Sequence, residues 1–340
     1  AMSGAGTNNV TLVTGVPGSS TTLNGDYSGF TGVWNLGVGA AASVNRVLMN
    51  GKDNAAASIV VRTNATLYVS TSAFSHNAAV TLQGGNTGES YGQLRLENNA
   101  VWSGPVLLAG VFTDGNDGFL GGNSGNGYVV GQITDAGLNY PLNKVGGGTL
   151  ALANTNNTFG GPLWVRQGWV RTTTMRNVGE ASAMGAPTTV ANGTVKLGNG
   201  TTTAGLAYAG YGDTSDRVID LASTTANCYL DHSGTNLWRL TGGVTSSGAG
   251  SKRLQLQGST GATGELAGVI ADTSASYSNN LFKTGTGAWI LSGNNTFKGA
   301  VNVDNGILRI AHNNAFGVGP KTVTANNSAN NVNPHIHFDG

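Results

Sequence analysis

Three short stretches bring together groups that could hold a metal or move a proton. In "HIHFDG", residues 335–340, His335, His337 and Asp339 alternate, so on a strand all three side chains face one way. Two imidazoles and a carboxylate are a feasible metal set, and an open coordination position would permit chemistry. The plainer reading is an exposed polar strand face. In "TDGNDGFLGGNSGNG", residues 113–127, Asp114, Asp117 and Asn126 could supply oxygens to calcium. A second acidic position is missing and the block is not tandem, so a protruding Gly-rich loop competes with that reading. "YGDTSDRVID" carries Asp213, Asp216 and Asp220, and "LDHSG" carries Asp231, His232 and Ser233. Paired carboxylates could cleave a glycosidic bond. Adjacency of Asp, His and Ser in sequence means little, because a triad is a spatial arrangement, and Asp also belongs at turns.

Binding chemistry points elsewhere. Trp164 and Trp169 sit in "PLWVRQGWVR". If Val165 faces inward, Trp164 faces outward, and an exposed indole can stack on a sugar or anchor a partner. The competing reading packs each indole under a neighbouring loop.

These residues must be positioned by strands. Gly contributes 55 of the 340 residues, against an average of ~7 per cent. Charged residues are 10 per cent of the chain, apolar ones 39 per cent. That balance is wrong for ordinary disorder and right for short strands joined by Gly and Asn turns. Net charge is +1 with no basic run, so nucleic acid finds no electrostatic footprint. A single cysteine, Cys228, excludes an internal disulfide and reads as a small buried residue. Alternating segments such as "ASIVVRT", "GQLRLEN", "GTLALAN", "KRLQLQG" and "GILRIA" recur with turn signals between them.

A longer repeat overlies that rhythm. Asn156-Asn157-Thr158-Phe159 aligns with Asn294-Asn295-Thr296-Phe297, after which Gly161, Val165, Gly168 and Arg171 align with Gly299, Val303, Gly306 and Arg309. Upstream, "GQITD" and "KVGGGTLAL" match "GVIAD" and "KTGTGAWIL". A fainter copy puts Phe30, Gly32 and Gly39 in the Phe, Gly, Gly places, so repeats fall near 23–39, 144–171 and 283–310. Each is a module of several strands whose apolar face needs a stacked neighbour. The Asn and Gly residues should make corners, Phe297 should turn inward, and equivalent Asn side chains could form ladders. Val301 and Val303 should face in, Asn302 and Asp304 out, with Ile307 and Leu308 competing for the interior.

"KTGTGAWILSGNNTFKGAVNVDNGIL", residues 283–308, resembles the autotransporter-associated β-strand repeat almost throughout, and "KVGGGTLALANTNNTFGGPLWVRQGWV", residues 144–170, resembles it with one inserted residue. That resemblance implies an all-β fold, a right-handed single-stranded parallel β-helix with protruding loops. It implies residues 1–340 as one β-helix domain, a piece of a larger passenger displayed on a bacterial outer surface, with an outer-membrane translocator in the parent. The repeat carries no catalytic residues and no cofactor. Expected partners are glycans, matrix proteins or the chain itself, and the expected role is adhesion or a structural stalk. The alternative is a polysaccharide lyase or hydrolase, or a carbohydrate-binding module, which rests on fold analogy.

Overall fold

The computed structural model describes residues 3–4, 8–12, 20–37, 45–85, 87, 89–112, 118–259, 261–272, 274, 276–326 and 334–339. They form parallel β-solenoid coils grouped in two compact units, residues 1–163 with 181–187 and residues 164–180 with 188–340.

In the first unit the chain visits three faces in turn. One face stacks Asn9–Leu12, Val33–Leu36, Ser58–Val61, Ala79–Gly84, Val106–Val111 and Ile133–Thr134. The second stacks Ser20–Leu23, Asn45–Met49, Ala65–Val69, Leu94–Leu96, Leu120–Gly121 and Leu142–Val145. The third stacks Ser75–His76, Ala100–Trp102, Asn126–Val129 and Thr149–Leu152. Each coil uses roughly 20–30 residues, the period of a solenoid turn. Alternation sends every second side chain inward, and parallel register piles like on like. Trp34 pairs with Ile59, Ile59 with Val80, Val80 with Val106 and Val106 with Ile133, and all five are buried.

The second unit repeats the plan. Gly168–Thr172, Ala204–Tyr208, Asn227–His232, Lys252–Gly258, Asn279–Lys283, Val301–Val303 and Val323–Ala325 stack in register on one face. A second face holds Asp213–Ser215, Asn236–Leu240, Ala262–Leu266, Ala288–Leu291, Ile307–Ile310 and His335–Phe338. The third holds Val195–Gly200, Ile219–Ser223 and Val244–Thr245. Inside, Trp238, Gly264 and Trp289 are successive partners in register, and the glycine leaves room for two indoles to meet edge to face at 5.8 Å. One short helix, Val190–Gly193, is capped by Thr189, whose Oγ1 accepts from Asn192 N.

The second repeat copy shows what the module is. Asn279–Lys283 pairs with Val301–Val303, and Ala288–Leu291 pairs with Ile307–Ile310. The copy is therefore one strand pair laid directly on the next, and "NNTFKG" is the corner between them. Val301, Val303 and Leu308 are buried while Asn302, Asp304 and Ile307 are half-buried outside, so Leu308 takes the contested interior place. Cys228 is buried as expected.

Candidate functional site

The polar residues of the repeat serve the backbone. Lys283 Nζ donates to Thr284 O at 2.7 Å, Gly285 O at 2.8 Å and Asn305 O at 2.9 Å. Lys144 Nζ donates to Gly146 O at 2.6 Å and to Gly148 O. Lys252 does the same for Gly250 O at 2.9 Å and Gly248 O. Each buried ammonium closes carbonyls that a Gly-rich corner turns inward. Burial pushes Lys144 down to about 7 and Lys283 down to about 8. An unfolded lysine keeps its proton to higher pH, so between those values and the ordinary lysine range the unfolded chain binds more protons. Stability should therefore rise as pH rises from about 7 toward 10. Urea midpoints at the two ends of that window measure the rise, which should flatten when Lys144 and Lys283 are both replaced by Met. An unchanged slope in that variant would assign the rise to other groups.

Asp135 and Asp272 end "GQITD" and "GVIAD" and span coils. Asp135 Oδ2 accepts Gly160 N at 2.9 Å, and Asp272 Oδ2 accepts Lys298 N at 2.9 Å. The second Asn of each "NNTF" is buried and links three segments. Asn157 Oδ1 accepts Ile133 N at 2.8 Å while its Nδ2 donates to Ala183 O at 2.8 Å. Asn295 does the same with Ile270 N at 2.8 Å and Ala315 O at 2.7 Å. The exposed first Asn makes only one rung, from Asn314 Nδ2 to Asn294 Oδ1 at 2.8 Å. Phe30, Phe159 and Phe297 are all buried. Two residues after each comes a glycine with no room for a side chain. A Cβ would lie 2.1 Å from Asn8 O at Gly32, 2.3 Å from Tyr140 O at Gly161 and 2.1 Å from Asn279 O at Gly299. Gly168 and Gly306 are needed for another reason, their φ of +71° and +70°. The faint copy thus shares the Phe and first Gly roles, and its Gly39 lies outside the described residues.

The sequence candidates scatter. His335 and His337 share the outward face of their strand, with ring centroids 5.8 Å apart. Asp339 instead meets Arg309 in an ion pair at 3.0 Å. Among the described residues no three His, Cys, Asp or Glu side chains converge to hold a metal. The calcium candidates Asp114 and Asp117 lie outside the described residues, and Asn126 begins an interior strand of the third face of the first unit. Asp213 Oδ2 accepts Met175 N at 2.8 Å and Arg176 N at 3.2 Å, and Asp216 Oδ1 accepts Val178 N at 2.7 Å. Asp220 takes Ser247 N at 2.8 Å and its hydroxyl at 2.6 Å. Asp231 faces outward while His232 is buried, its Nε2 2.9 Å from Asn236 O. These carboxylates tie neighbouring coils together rather than facing one another.

One ionic cluster escapes sequence reasoning. Arg95 pairs with Glu97 at 2.8 Å and Glu89 at 3.1 Å, and its guanidinium lies over Tyr68 and Tyr91. Burial pushes Glu97 up, but Arg95, Asn123 N and the Tyr68 hydroxyl outweigh it and hold the carboxyl below its ordinary value. Glu89, Tyr91, Arg95 and Glu97 lie in one short stretch, but Tyr68 and Asn123 reach Glu97 from neighbouring coils, and no local pattern marks those two.

The outer surface of the second unit is the best place for a ligand. Trp164 is half-buried on the outward side of its strand, as its phase requires. Its Nε1 donates to Gly198 O at 2.7 Å, the Arg166 guanidinium lies 3.7 Å from its ring and Lys196 Nζ lies 5.3 Å from it. Trp169 is also half-buried and outward. Its ring lies over Gly205 and meets Tyr229 at 5.3 Å. Further along the same strands, an open pocket of about 540 Å³ is lined by Thr173, Thr174, Tyr211, Ser233 and Thr235, and Tyr211 is 83% exposed.

Inward Lys, bridging Asn and buried Phe close equivalent corners in both copies, which makes the chain a repeat β-solenoid, and its repeats match those of the autotransporter-passenger type. The family described as the passenger-associated-transport-repeat matches residues 142–171 and 281–310. Those spans hold the Lys, Asn, Phe and Gly corner residues of the two clear copies, whereas Asp135 and Asp272 precede them and Lys252, Phe30 and Gly32 lie outside them. The chain is also 30% identical over 326 residues to the adhesin BmaC autotransporter of Brucella suis biovar 1 (strain 1330), an alignment covering 91% of this chain and 9% of that protein. The chain thus spans less than a tenth of that relative's length. No solved structure matches it.

Proposed function

We propose that this chain is an adhesive segment of a bacterial surface-displayed passenger, carried outward as a stack of parallel coils. The observation that supports it most directly is the similarity of 91% of the chain to an autotransporter adhesin, on a fold whose repeat family is named for passenger transport. The structure adds a physical reason. Corners closed by buried Lys, Asn and Phe leave many outward strand positions free to vary, so a rigid surface can carry contacts along its length.

The test is display. The chain is fused ahead of an outer-membrane β-barrel translocator and produced in a non-adherent bacterium. Protease added to intact cells should remove it, and displaying cells should bind glycan-coated or matrix-protein-coated surfaces more than cells displaying the barrel alone. A chain retained inside the cell would overturn the passenger assignment. A displayed chain that raises binding to no surface would overturn the adhesive one.

A further inference from the structure

On the outward face of the second unit, the strands Gly168–Thr172, Ala204–Tyr208, Asn227–His232, Lys252–Gly258 and Asn279–Lys283 lie side by side in register. One outward column runs Trp169, Gly205, Tyr229, Gln255, Phe282. Gly205 is buried beneath the Trp169 ring, so Trp169 and Tyr229 adjoin as an angled aromatic platform, with centroids 5.3 Å apart and planes inclined at 42°. Phe282 resumes it two coils on, with the Arg253 guanidinium stacked 3.2 Å from its centroid. Three half-buried aromatic rings on the solvent side of a sheet have no structural role comparable to the inward Trp238 and Trp289.

The charges beside this column are unbalanced. Arg171 is exposed and follows Trp169 on the same strand face, and Arg253 adjoins Tyr229 and Phe282. Among the described residues neither guanidinium pairs with a carboxylate. The nearby carboxylate, Asp231, is already engaged. Its Oδ1 accepts from the Ser233 hydroxyl, and its Oδ2 accepts from Gln257 Nε2 at 2.8 Å. Arg171 and Arg253 stand three strands apart, and four residues apart along the strands. At ~4.8 Å between strands and ~3.3 Å per residue, the diagonal joining them is on the order of 20 Å and crosses the aromatic platform.

We propose that this face binds an acidic polysaccharide bearing hexuronate units, lying diagonally from Arg171 across Trp169 and Tyr229 to Arg253. The apolar face of a pyranose ring covers an aromatic ring, and a planar guanidinium grips a sugar carboxylate with two parallel N–H donors. Two planar guanidiniums along the whole diagonal suit a polymer whose charges are carboxylates rather than a densely sulfated chain. The proposal rests on the adhesive reading and names its ligand.

The purified whole chain is titrated with polygalacturonate, heparin and dextran by calorimetry, at about 50 and about 300 mM NaCl. Polygalacturonate should bind more tightly than heparin, dextran should not bind, and added salt should weaken the complex. Tyr229→Ala, Arg171→Gln and Arg253→Gln should each weaken it about tenfold, while Arg253→Lys, which keeps charge and loses the planar fork, should restore only part. Thermal melts matching the parent show that these surface variants fold. Dextran binding that needs Tyr229 but neither arginine would replace the acidic ligand with a neutral glycan and overturn the proposal. So would tighter binding to heparin, or no binding to polygalacturonate. A chain that fails here but still makes displaying cells adhere loses this ligand and keeps its adhesive role. A chain that fails both loses both.

Discussion

Replacing Phe297 by Ala is expected to lower the unfolding free energy by about 3–5 kcal/mol, the cost of deleting a buried aromatic ring and leaving a cavity. Phe297 is fully buried at the corner where one strand pair passes to the next. Lys321 lies over its ring at 4.2 Å and donates to its carbonyl at 2.8 Å. Gly317 packs so closely against that carbonyl that a Cβ there would be 2.1 Å away. Backbone fits this tight on several sides leave little freedom to collapse into the cavity, which favours the upper half of the range. Because each coil contacts only its neighbours, the loss should be local. Hydrogen exchange should speed first in strands Val301–Val303 and Ile307–Ile310. Phe297→Leu should lose less. Urea unfolding followed by tryptophan fluorescence gives the magnitude, and a change below about 1 kcal/mol would show that the corner does not depend on the ring.

The second large effect belongs to Asn295. Its carboxamide satisfies Ile270 N–H and Ala315 C=O, both in the interior. Asn295→Ala removes both partners at once, and a buried polar group left unpaired costs about 1–3 kcal/mol. A loss of about 2–4 kcal/mol is expected, with Asn157→Ala in the first copy behaving alike. The control is the adjacent residue. Asn294 is exposed and holds only Asn314, so Asn294→Ala should change stability by no more than about 0.5 kcal/mol. Equal losses at the two asparagines, in the same urea melts, would mean that the bridge carries no special energy.

Much of this corner is legible in the amino-acid sequence. "NNTF" followed by Gly two residues on marks a bend, and period-two alternation then decides which valines face inward, because a strand cannot rotate one side chain without rotating all of them. That is why spacing places Val301, Val303 and Phe297, and why it gives Trp164 its outward phase. Repetition within the chain supplies the parallel solenoid, since a module that cannot bury its own apolar face must stack on another.

What lies beside what across coils is not legible there, because lateral register depends on how many residues each turn consumes, and turns here vary in length. Asp213 reads as a turn residue or as half of a catalytic pair, and it caps backbone 38 residues earlier, a partner that neither reading names. Asp339 reads as a metal ligand beside His335 and His337, yet it meets Arg309. Trp169 stands out in the sequence, but the glycine that lets Tyr229 reach it does not, nor do the guanidiniums of Arg171 and Arg253 on the same face. The sequence alone determined the coil, its corners and, except where Ile307 and Leu308 compete, which side of the clearly alternating strands meets solvent, because those follow from local alternation and backbone sterics. The tertiary structure alone decided which outward side chains become neighbours, because that depends on summing turn lengths over several coils.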